Sequence, residues 1–435
     1  MKTKLAICLL LSAASIATAE NWAQWRGPAF NGSTTETDLP TKFSPTENVV
    51  WSADLPGPGA ATPVIWEDKV FISSTDAKAD SLEAICINRK TGEKLWQHQI
   101  AKGTRKDYRS LFCAPSPATD GEVVVYFYGN GDLVTFDLDG EKLWARNIQK
   151  DFGPFAFLWT FSSSPLLYDG KLYLQVLQRD KPVEGRGLSG QKNESYLLAL
   201  DPKTGKTLWR VVRPSKAREE SLEAFSTPIP MVDDDREELL VVGGDALTGH
   251  DLATGKELWR WGTYNPTRIP HWRLVPSPVA GGGVVLTCAP KRDPIYAVPV
   301  GKNGVIPTDD LPWISEDEPE VSSDVPTPAF YDGDFFVLSD VRKALTRVDP
   351  KTGEVKWRLR TPGYSKYEAS PLAADGKIYL INFVGEVVVV DADTGKVSAI
   401  NKMDEPSDNP VRSSVVAAHG NLFIRVNSKL YCVGE

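Results

Sequence analysis

The chain has 435 residues, of which 41% are hydrophobic and 24% are charged, and this composition is sufficient for a large globular core. Its formal net charge at pH 7 is −8, which argues against a nucleic-acid partner because such partners select basic surfaces. The 34 Gly, 32 Pro and 13 Trp residues are typical of many short strands joined by turns.

Residues 1–19 have the pattern of a secretory signal peptide. Lys2 and Lys4 precede an apolar run over residues 5–16, and the Ala-Thr-Ala sequence at 17–19 is a small-x-small cleavage site. The run is too short to span a membrane, and no later run is long enough. We therefore expect cleavage after Ala19 and a periplasmic or secreted protein.

Residues 20–47 are predicted to be an extended lead-in that packs along the outside of a repeat domain, which occupies residues 48–435. The repeats share a closing phrase, which occurs as "NRKTGEKLW", "DPKTGKTLW", "DLATGKELW" and "DPKTGEVKW". The acidic or amide residue that opens the phrase can bond backbone amides within a turn, and its Gly suits a position with φ > 0. The phrase therefore predicts a hairpin turn followed by a strand.

The third repeat shows the whole unit. Residues 162–178, "SSSPLLYDGKLYLQVLQ", contain a Ser-Pro entry and two strands around an Asp-Gly turn, which is a strong hairpin signal. Residues 195–201 supply a third strand, and the strand after the closing turn is the fourth. Each repeat is thus predicted to be a four-stranded antiparallel sheet. The inserted residues 179–194 are predicted to be a polar flap on the side opposite the entry loops.

The number of repeats follows from their entry signals, in which Ser or Thr precedes Pro. Seven such pairs occur, and Ser413-Ser414 is a weaker eighth signal; the seven are Thr62-Pro63, Ser116-Pro117, Ser164-Pro165, Thr227-Pro228, Ser277-Pro278, Thr327-Pro328 and Ser370-Pro371. The eighth repeat has three strands, and residues 48–55 near the N-terminus resemble its missing fourth strand. We therefore predict an all-β, eight-bladed propeller closed by pairing of strand 48–55 with the C-terminal blade.

A Trp residue recurs at the end of the closing phrase. Its broad ring is suited to filling the space between neighbouring blades, so a structural role is predicted for these residues. They are Trp51, Trp96, Trp144, Trp209, Trp259, Trp313 and Trp357, and the seventh repeat has Ala399 at this position.

The phrase and the entry signal together resemble the pyrroloquinoline-quinone (PQQ)-type repeat over residues 48–435. This repeat is shared by quinoprotein alcohol dehydrogenases and by the propeller lipoprotein of the outer-membrane β-barrel assembly machine. The resemblance implies a propeller of the bacterial cell envelope. In the dehydrogenases, the family pattern includes adjacent cysteines, Ca²⁺ ligands from Glu and Asn, and an Asp base.

This chain departs from the dehydrogenase pattern. Its cysteines after the signal peptide are isolated, and we find no cluster of oxygen ligands for Ca²⁺. No cofactor, metal site or catalytic residue is predicted, and PQQ with Ca²⁺ remains the alternative. Burial is predicted for the four thiols, with a bridge between Cys86 and Cys432 left open; the other two are Cys113 and Cys288.

The loops before the entry signals are long and collect Arg and aromatic residues on one face, around the mouth of the channel. The candidate ligand or partner residues are Arg105, Tyr108, Arg109, Phe155, Trp159, Arg218, Arg268, His271, Trp272, Arg273, Tyr367, Glu368 and Arg412. These residues either pack the loops together or bind a protein, an anionic ligand or a sugar. Glu368 and Arg412 occupy equivalent positions in neighbouring repeats and are predicted to form a pair.

The function predicted from these features is that of an exported, monomeric, non-catalytic propeller that serves as a binding scaffold in the cell envelope. Two alternatives are a divergent PQQ-dependent oxidoreductase and a periplasmic propeller that binds or processes carbohydrate.

Overall fold

The computed structural model describes residues 20–105, 107–233, 236–403 and 409–434. The predicted signal peptide lies outside this part of the chain. The described residues form eight sheets, and each contains a four-stranded antiparallel meander. The predicted all-β, eight-bladed propeller is therefore confirmed.

The first four blades follow the chain from the innermost strand outward. Blade 1 contains β2 (Val64–Trp66), β3 (Lys69–Asp76), β4 (Ser81–Asn88) and β5 (Lys94–Lys102). Blade 2 contains β6 (Ala118–Thr119), β7 (Val123–Phe127), β8 (Asp132–Asp137) and β9 (Lys142–Asn147). Blade 3 contains β10 (Leu166–Tyr168), β11 (Lys171–Val176), β12 (Tyr196–Leu200) and β13 (Thr207–Val212). Blade 4 contains β14 (Ile229–Asp233), β15 (Arg236–Gly243), β16 (Ala246–His250) and β17 (Glu257–Trp261).

The next three blades repeat this order. Blade 5 contains β18 (Val279–Gly281), β19 (Val284–Cys288), β20 (Ile295–Pro299) and β22 (Trp313–Ile314). Blade 6 contains β23 (Ala329–Tyr331), β24 (Asp334–Ser339), β25 (Ala344–Val348) and β26 (Val355–Arg360). Blade 7 contains β27 (Leu372–Ala374), β28 (Lys377–Ile381), β29 (Glu386–Asp391) and β30 (Val397–Lys402). Between blades 5 and 4, β21 (Gly304–Ile306) joins β17 as a parallel fifth strand.

Blade 8 is shared by the two ends of the chain. It contains β31 (Val416–Ala418), β32 (Asn421–Val426), β33 (Lys429–Val433) and, as its outer strand, β1 (Val49–Asp54). The predicted closure is confirmed, because β1 pairs with β33 in antiparallel register. The helical segments are short: α1 (Ile148–Phe152) and 3-10 turns at Glu219–Leu222 and Thr308–Asp310.

The entry Ser and Thr residues form a closed ring of hydrogen bonds around the axis. The backbone N–H of each member donates to the side-chain hydroxyl of its equivalent in the next blade, at 2.9–3.2 Å. This hydroxyl ring comprises Thr62, Ser116, Ser164, Thr227, Ser277, Thr327, Ser370 and Ser414. Ser414 donates to Thr62, so the ring closes across the two ends of the repeat domain.

Six of the Trp residues dock onto the closing turn of the next blade. The indole N–H donates to a backbone carbonyl of that turn, as from Trp357 to Ala392 at 3.0 Å. The ring covers the turn Gly so closely that a Cβ on it would lie 2.6–2.8 Å from ring atoms. The pairs are Trp51 with Gly92, Trp96 with Gly140, Trp144 with Gly205, Trp209 with Gly255, Trp313 with Gly353, and Trp357 with Gly395.

Trp259 differs from these six. It is buried, and its indole N–H donates at 2.5 Å to Glu238 of its own blade. In blade 5, the segment "VGKNGVIP" stands at the position where other blades have the closing phrase. Its strand β21 pairs with β17, the strand that contains Trp259. The local departure from the repeat therefore changes the role of the aromatic residue.

We expect Gly395→Ala to destabilise the protein more than Gly376→Ala. Both glycines lie in blade 7 with positive φ, 68° and 65°, so Ala costs about 1 kcal/mol of backbone strain at either site. Only Gly395 is covered by a ring, that of Trp357, and overpacking there adds roughly 1–3 kcal/mol. Denaturant unfolding of both variants measures the difference, and equal losses would contradict docking of Trp357 on this turn.

The expected position of the lead-in is wrong for its first part, which crosses the channel instead of packing outside. Residues 22–33 bond the innermost strands of five blades, at Ile65, Thr119, Leu167, Phe330 and Ala373. We call this segment the channel plug. The prediction missed the position of the channel plug because a non-repeating segment has no sequence pattern that indicates contact with the propeller axis. Residues 39–43 do pack outside blade 7, where Phe43 N–H bonds Asn401.

The flap at residues 179–194 lies on the same side as the entry loops, not on the opposite side. The Arg179 N–H bonds Ala156 O at 3.1 Å, and the Arg186 guanidinium bonds Leu158 O at 3.0 Å. The reason is strand direction: β10 leaves the entry loops, and β11 returns to them before the flap begins. The flap therefore contributes to the mouth of the channel.

Candidate binding site at the channel mouth

A cavity of about 150 Å³ lies on the propeller axis at the mouth. Its floor contains members of the hydroxyl ring and the indole of Trp25, which belongs to the channel plug. The Nε1 atom of Trp25 lies 3.4 Å from Ser277 Oγ. The polar and aromatic wall of the cavity includes Arg109, Trp159, Arg273, Glu368 and Arg412. Five predicted mouth residues are thus brought together. Trp25 was missed because the lead-in was expected to lie outside.

The other predicted mouth residues have different positions. Phe155 packs among Phe157 and Phe161, and Tyr367 is buried with its hydroxyl bonded to Pro362 O. Those two stabilise loops and do not face the cavity. The remaining predicted residues lie on the mouth loops beyond the cavity: Arg105, Tyr108, Arg218, Arg268, His271 and Trp272.

Glu368 and Arg412 form the predicted pair, with Arg412 Nε donating to Glu368 Oε2 at 2.9 Å. Lys366 donates to the other oxygen of Glu368 at 2.8 Å. Burial opposes ionisation of Glu368, but the two cations outweigh it and hold the pKa of this carboxyl below its usual value. The carboxylate is therefore neutralised and fully engaged by protein groups.

A second ion pair joins Arg273 to Asp324, with contacts of 3.3 and 3.4 Å. Burial opposes ionisation of Asp324, but Arg273 and the Lys291 N–H outweigh it and lower the pKa of this carboxyl. Asp340 accepts from the Asp324 N–H at 3.0 Å, and burial raises the pKa of Asp340 to about 6. The acidic groups on this side of the mouth therefore belong to a fixed network.

Arg109 is the cationic wall residue without a carboxylate partner in the part of the chain that is described. Its Nε is buried without a hydrogen-bond partner. Its guanidinium carbon lies 5.0 Å from the centre of the Tyr108 ring and 5.9 Å from that of Trp159. The nearby Asp107 carboxylate instead accepts from the backbone of residues 109, 110 and 160. Arg109 therefore presents positive charge between two aromatic rings.

Arg109 also borders a second cavity of about 320 Å³. This cavity is lined by Tyr108, Phe383, Arg412 and Arg425, among others, and Tyr108 is 78% exposed. Arg109 and Arg412 lie on the walls of both cavities. The two cavities thus form one continuous basic and aromatic region of the mouth.

Glu223 joins three mouth segments in the described chain and was not singled out by the sequence. Its Oε1 accepts from Leu158 N–H at 3.0 Å and from Arg179 Nε, while its Oε2 has no partner. Burial raises the pKa of Glu223 to about 7, against the opposing effect of Arg179. The sequence "SLEAF" around Glu223 is a weak indication of this role, because a single acidic residue among apolar ones does not show whether its side chain is buried.

The mouth residues do not fit a quinone site of the dehydrogenase type. The described residues contain no group of three His, Cys, Asp or Glu side chains placed to hold a metal ion. Glu368 and Asp324 are occupied by Arg and Lys, so their oxygens are not available to Ca²⁺. Cys86, Cys113, Cys288 and Cys432 are buried and free, so the bridge between Cys86 and Cys432 is not formed.

Residues 33–177 and 193–434 match the family model described as outer membrane protein assembly factor BamB. Among curated proteins, none matches the sequence. Among the described residues, no helix is both long enough and apolar enough to cross a membrane.

Several solved structures share the fold at low sequence identity. A europium-containing methanol dehydrogenase has a TM-score of 0.67 and 12% identity, covering 93% of this chain and 89% of its own. BamB from Moraxella catarrhalis has a TM-score of 0.59 and 13% identity, covering 89% and 99%. The quinohemoprotein alcohol dehydrogenase from Comamonas testosteroni has a TM-score of 0.61 and 12% identity, covering 95% and 81%. Because the family match spans most of the propeller, this chain belongs to the family of outer membrane protein assembly factor BamB.

Proposed function

We propose that this protein is an exported, non-catalytic scaffold of the bacterial cell envelope that binds an acidic segment of a partner protein at its channel mouth. The observation that carries the proposal is Arg109, a cation between two aromatic rings with no carboxylate partner among the described residues. Arg and aromatic residues are the types that dominate binding hot spots. A carboxylate of the partner would supply the missing charge.

A protein partner is favoured over a small ligand by the exposed rings around this site. Tyr108 is 78% exposed and Tyr364 is 99% exposed, and both belong to loops of the mouth face. Binding rather than catalysis is favoured because the carboxylates of the cavity wall and its flank are held in ion pairs. A general base needs a carboxylate or imidazole that can reach substrate and change its protonation state.

Selection from a displayed library of random peptides tests the proposal. We expect peptides selected on the wild-type protein to be enriched in Asp and Glu and to bind Arg109→Ala at least about tenfold more weakly, a loss of ~1.4 kcal/mol. Arg358→Ala is the matched control, because Arg358 is 48% exposed and pairs with Glu318 in the described chain. Selected peptides without acidic enrichment, bound equally by Arg109→Ala, would contradict the proposal.

The oxidoreductase alternative is tested separately by adding pyrroloquinoline quinone and Ca²⁺ to the mature protein and following absorbance and thermal unfolding. We expect no saturable change, because Glu368 in the cavity wall and Asp324 on its flank are already engaged by Arg and Lys. Binding of about one equivalent with a rise in melting temperature would refute the non-catalytic assignment and direct attention to alcohols and aldehydes as substrates.

A further inference from the structure

Glu36 is a buried carboxylate near the end of the channel plug. It is 7% exposed, its Oε2 accepts from Gly420 N–H at 2.5 Å, and its Oε1 accepts from the nitrogen of Glu20 at 2.5 Å. No Lys or Arg of the described chain forms an ion pair with it. An opposite charge at hydrogen-bond distance stabilises a buried carboxylate, so a cation placed next to Glu36 would add stability.

The neighbouring imidazole does not supply this cation. His419 lies beside Gly420, and its Nε2 is 2.9 Å from Asn21 Oδ1. Burial and the nearby Arg89 lower the pKa of His419 despite the opposing effect of Glu36. The imidazole is therefore neutral at pH 7, and a cation for Glu36 would have to come from elsewhere.

Glu20 is held in a fixed position at the base of the plug. Its Oε2 accepts from Thr34 Oγ1 at 2.6 Å and from Thr35 N–H at 2.9 Å. These bonds direct the Glu20 nitrogen toward Glu36. Glu20 is also the residue that follows the predicted signal-peptide cleavage site.

We propose that cleavage between Ala19 and Glu20 creates an N-terminal ammonium that binds Glu36 and locks the channel plug in place. In this hydrolysis, water adds to the carbonyl carbon of Ala19 and the C–N bond breaks. Ala19 leaves with a carboxylate, and the nitrogen of Glu20 takes up a proton to become an ammonium. The protease is a signal peptidase, and the proposal rests on the predicted export.

The ion pair would fasten both ends of the plug to blade 8. Glu20 and Glu36 flank the channel plug, one on each side of residues 22–33, and the chain brings them back together at the Glu20 nitrogen and the Glu36 carboxylate. Glu36 also accepts a hydrogen bond from the backbone of Gly420 in a turn of blade 8. Trp25 of the channel plug forms part of the cavity floor. Before cleavage, the Glu20 nitrogen is a neutral amide and leaves the charge of Glu36 uncompensated. The floor of the mouth cavity would therefore reach full stability only after processing.

Three forms of the protein separate the effect of the positive charge on the Glu20 nitrogen from the hydrogen bond that this nitrogen donates to Glu36. The first begins at Glu20 with a free amine, the second carries one Met before Glu20, and the third begins at Glu20 with an acetylated amine. The added Met displaces the ammonium by up to ~3.8 Å, the span of one trans peptide unit. Thermal unfolding at pH 7 and hydrogen exchange over residues 20–36 are measured for all three.

We expect the free-amine form to melt about 2 °C or more above the other two and to exchange more slowly in the plug. Glu36→Gln should lower the melting temperature of the free-amine form and abolish the differences among the three. Glu47→Gln, which changes an exposed carboxylate of the same lead-in, should preserve them. Equal melting of the three forms, or differences that persist in Glu36→Gln, would overturn the proposal.

Two further measurements complete the test. The α-amino pKa of the free-amine form, read by ¹⁵N NMR, should lie above the ordinary ~7.7–8.0 and return to that range in Glu36→Gln. Mass spectrometry of the exported protein should show an N-terminus at Glu20. A different start would overturn the cleavage step, whereas the partner-binding proposal is decided by peptide selection on the mature protein and stands or falls separately.

Discussion

Replacing Arg425 with Ala is expected to lower the free energy of unfolding by about 3–5 kcal/mol. Arg425 is 1% exposed and links blade 8 to the beginning of the repeat domain. Its guanidinium donates to Ser73 O at 2.8 Å and to Gly57 O at 3.2 Å. Removing the donors takes hydrogen bonds from buried carbonyls and creates a cavity, and both effects act where the ring closes.

The Arg425 cation is held by backbone carbonyls rather than by a described carboxylate. Burial lowers the pKa of Arg425 to about 10, which still leaves it charged at pH 7. Arg425→Met retains most of the side-chain stem without the donors, so we expect it to lose nearly as much stability as the Ala variant. That result would assign the effect to hydrogen bonding and not to packing of the stem.

The exposed Arg358 again provides the comparison, because removal of a surface ion pair costs ~0–1 kcal/mol. Equilibrium unfolding in guanidinium chloride measures all three variants. If Arg425→Ala falls within about 1 kcal/mol of the wild-type protein, closure of the ring does not depend on this side chain, and the β1–β33 pairing alone would have to account for it.

The second large effect is a pH dependence that we assign to Glu223. Its folded-state pKa is raised from 4.5 to about 7, chiefly by burial. Such a group favours folding most below the unfolded-state pKa, and its contribution is lost as pH rises through the folded-state pKa. We therefore expect it to make the protein about 3 kcal/mol less stable at pH 8 than at pH 4.

Glu223→Gln isolates this contribution, because an amide keeps an acceptor for Leu158 N–H and does not titrate. We expect the unfolding free energy of the variant to lack the fall between about pH 4.5 and pH 7 that Glu223 causes in the wild-type protein. Glu184→Gln on the flap is the control, since Glu184 is 66% exposed and solvent screens its charge. Identical pH profiles for Glu223→Gln and the wild-type protein would contradict the assignment.

The location of Glu223 gives this titration a local readout. Its carboxylate holds Leu158 of the entry loop and Arg179 at the start of the flap. The protection factors of the flap amides, which allow for the intrinsic pH dependence of exchange, should therefore change between pH 5 and pH 8 in the wild-type protein. In Glu223→Gln, this change should be absent.

The repeated parts of the molecule were predictable from the sequence because their signals are local and recur. The Ser/Thr entry recurs in all eight blades, where its hydroxyl accepts a backbone N–H of the preceding blade, and the turn Gly recurs in six of the closing turns. Strand 48–55 could be assigned to blade 8 because the last repeat lacked one strand. The pairing of Glu368 with Arg412 followed from their equivalent positions in neighbouring repeats.

The parts that the sequence did not predict are those without a repeat to compare. The lead-in enters the channel because an eight-bladed ring leaves an axial space, and Arg26 there bonds Pro328 O and Pro371 O. The flap lies at the mouth because of strand direction, and Trp259 turns to its own blade because blade 5 lacks the closing phrase.

By itself, the sequence determined the fold class, the number of blades and the closure of the ring. The tertiary structure alone decided which loop residues share the mouth cavity, because loop direction depends on packing between blades distant in the chain. It also showed that Glu368 and Asp324 are neutralised while Arg109 has no carboxylate partner in the described chain. Whether a charge is compensated depends on distances of a few ångströms, which sequence spacing does not specify.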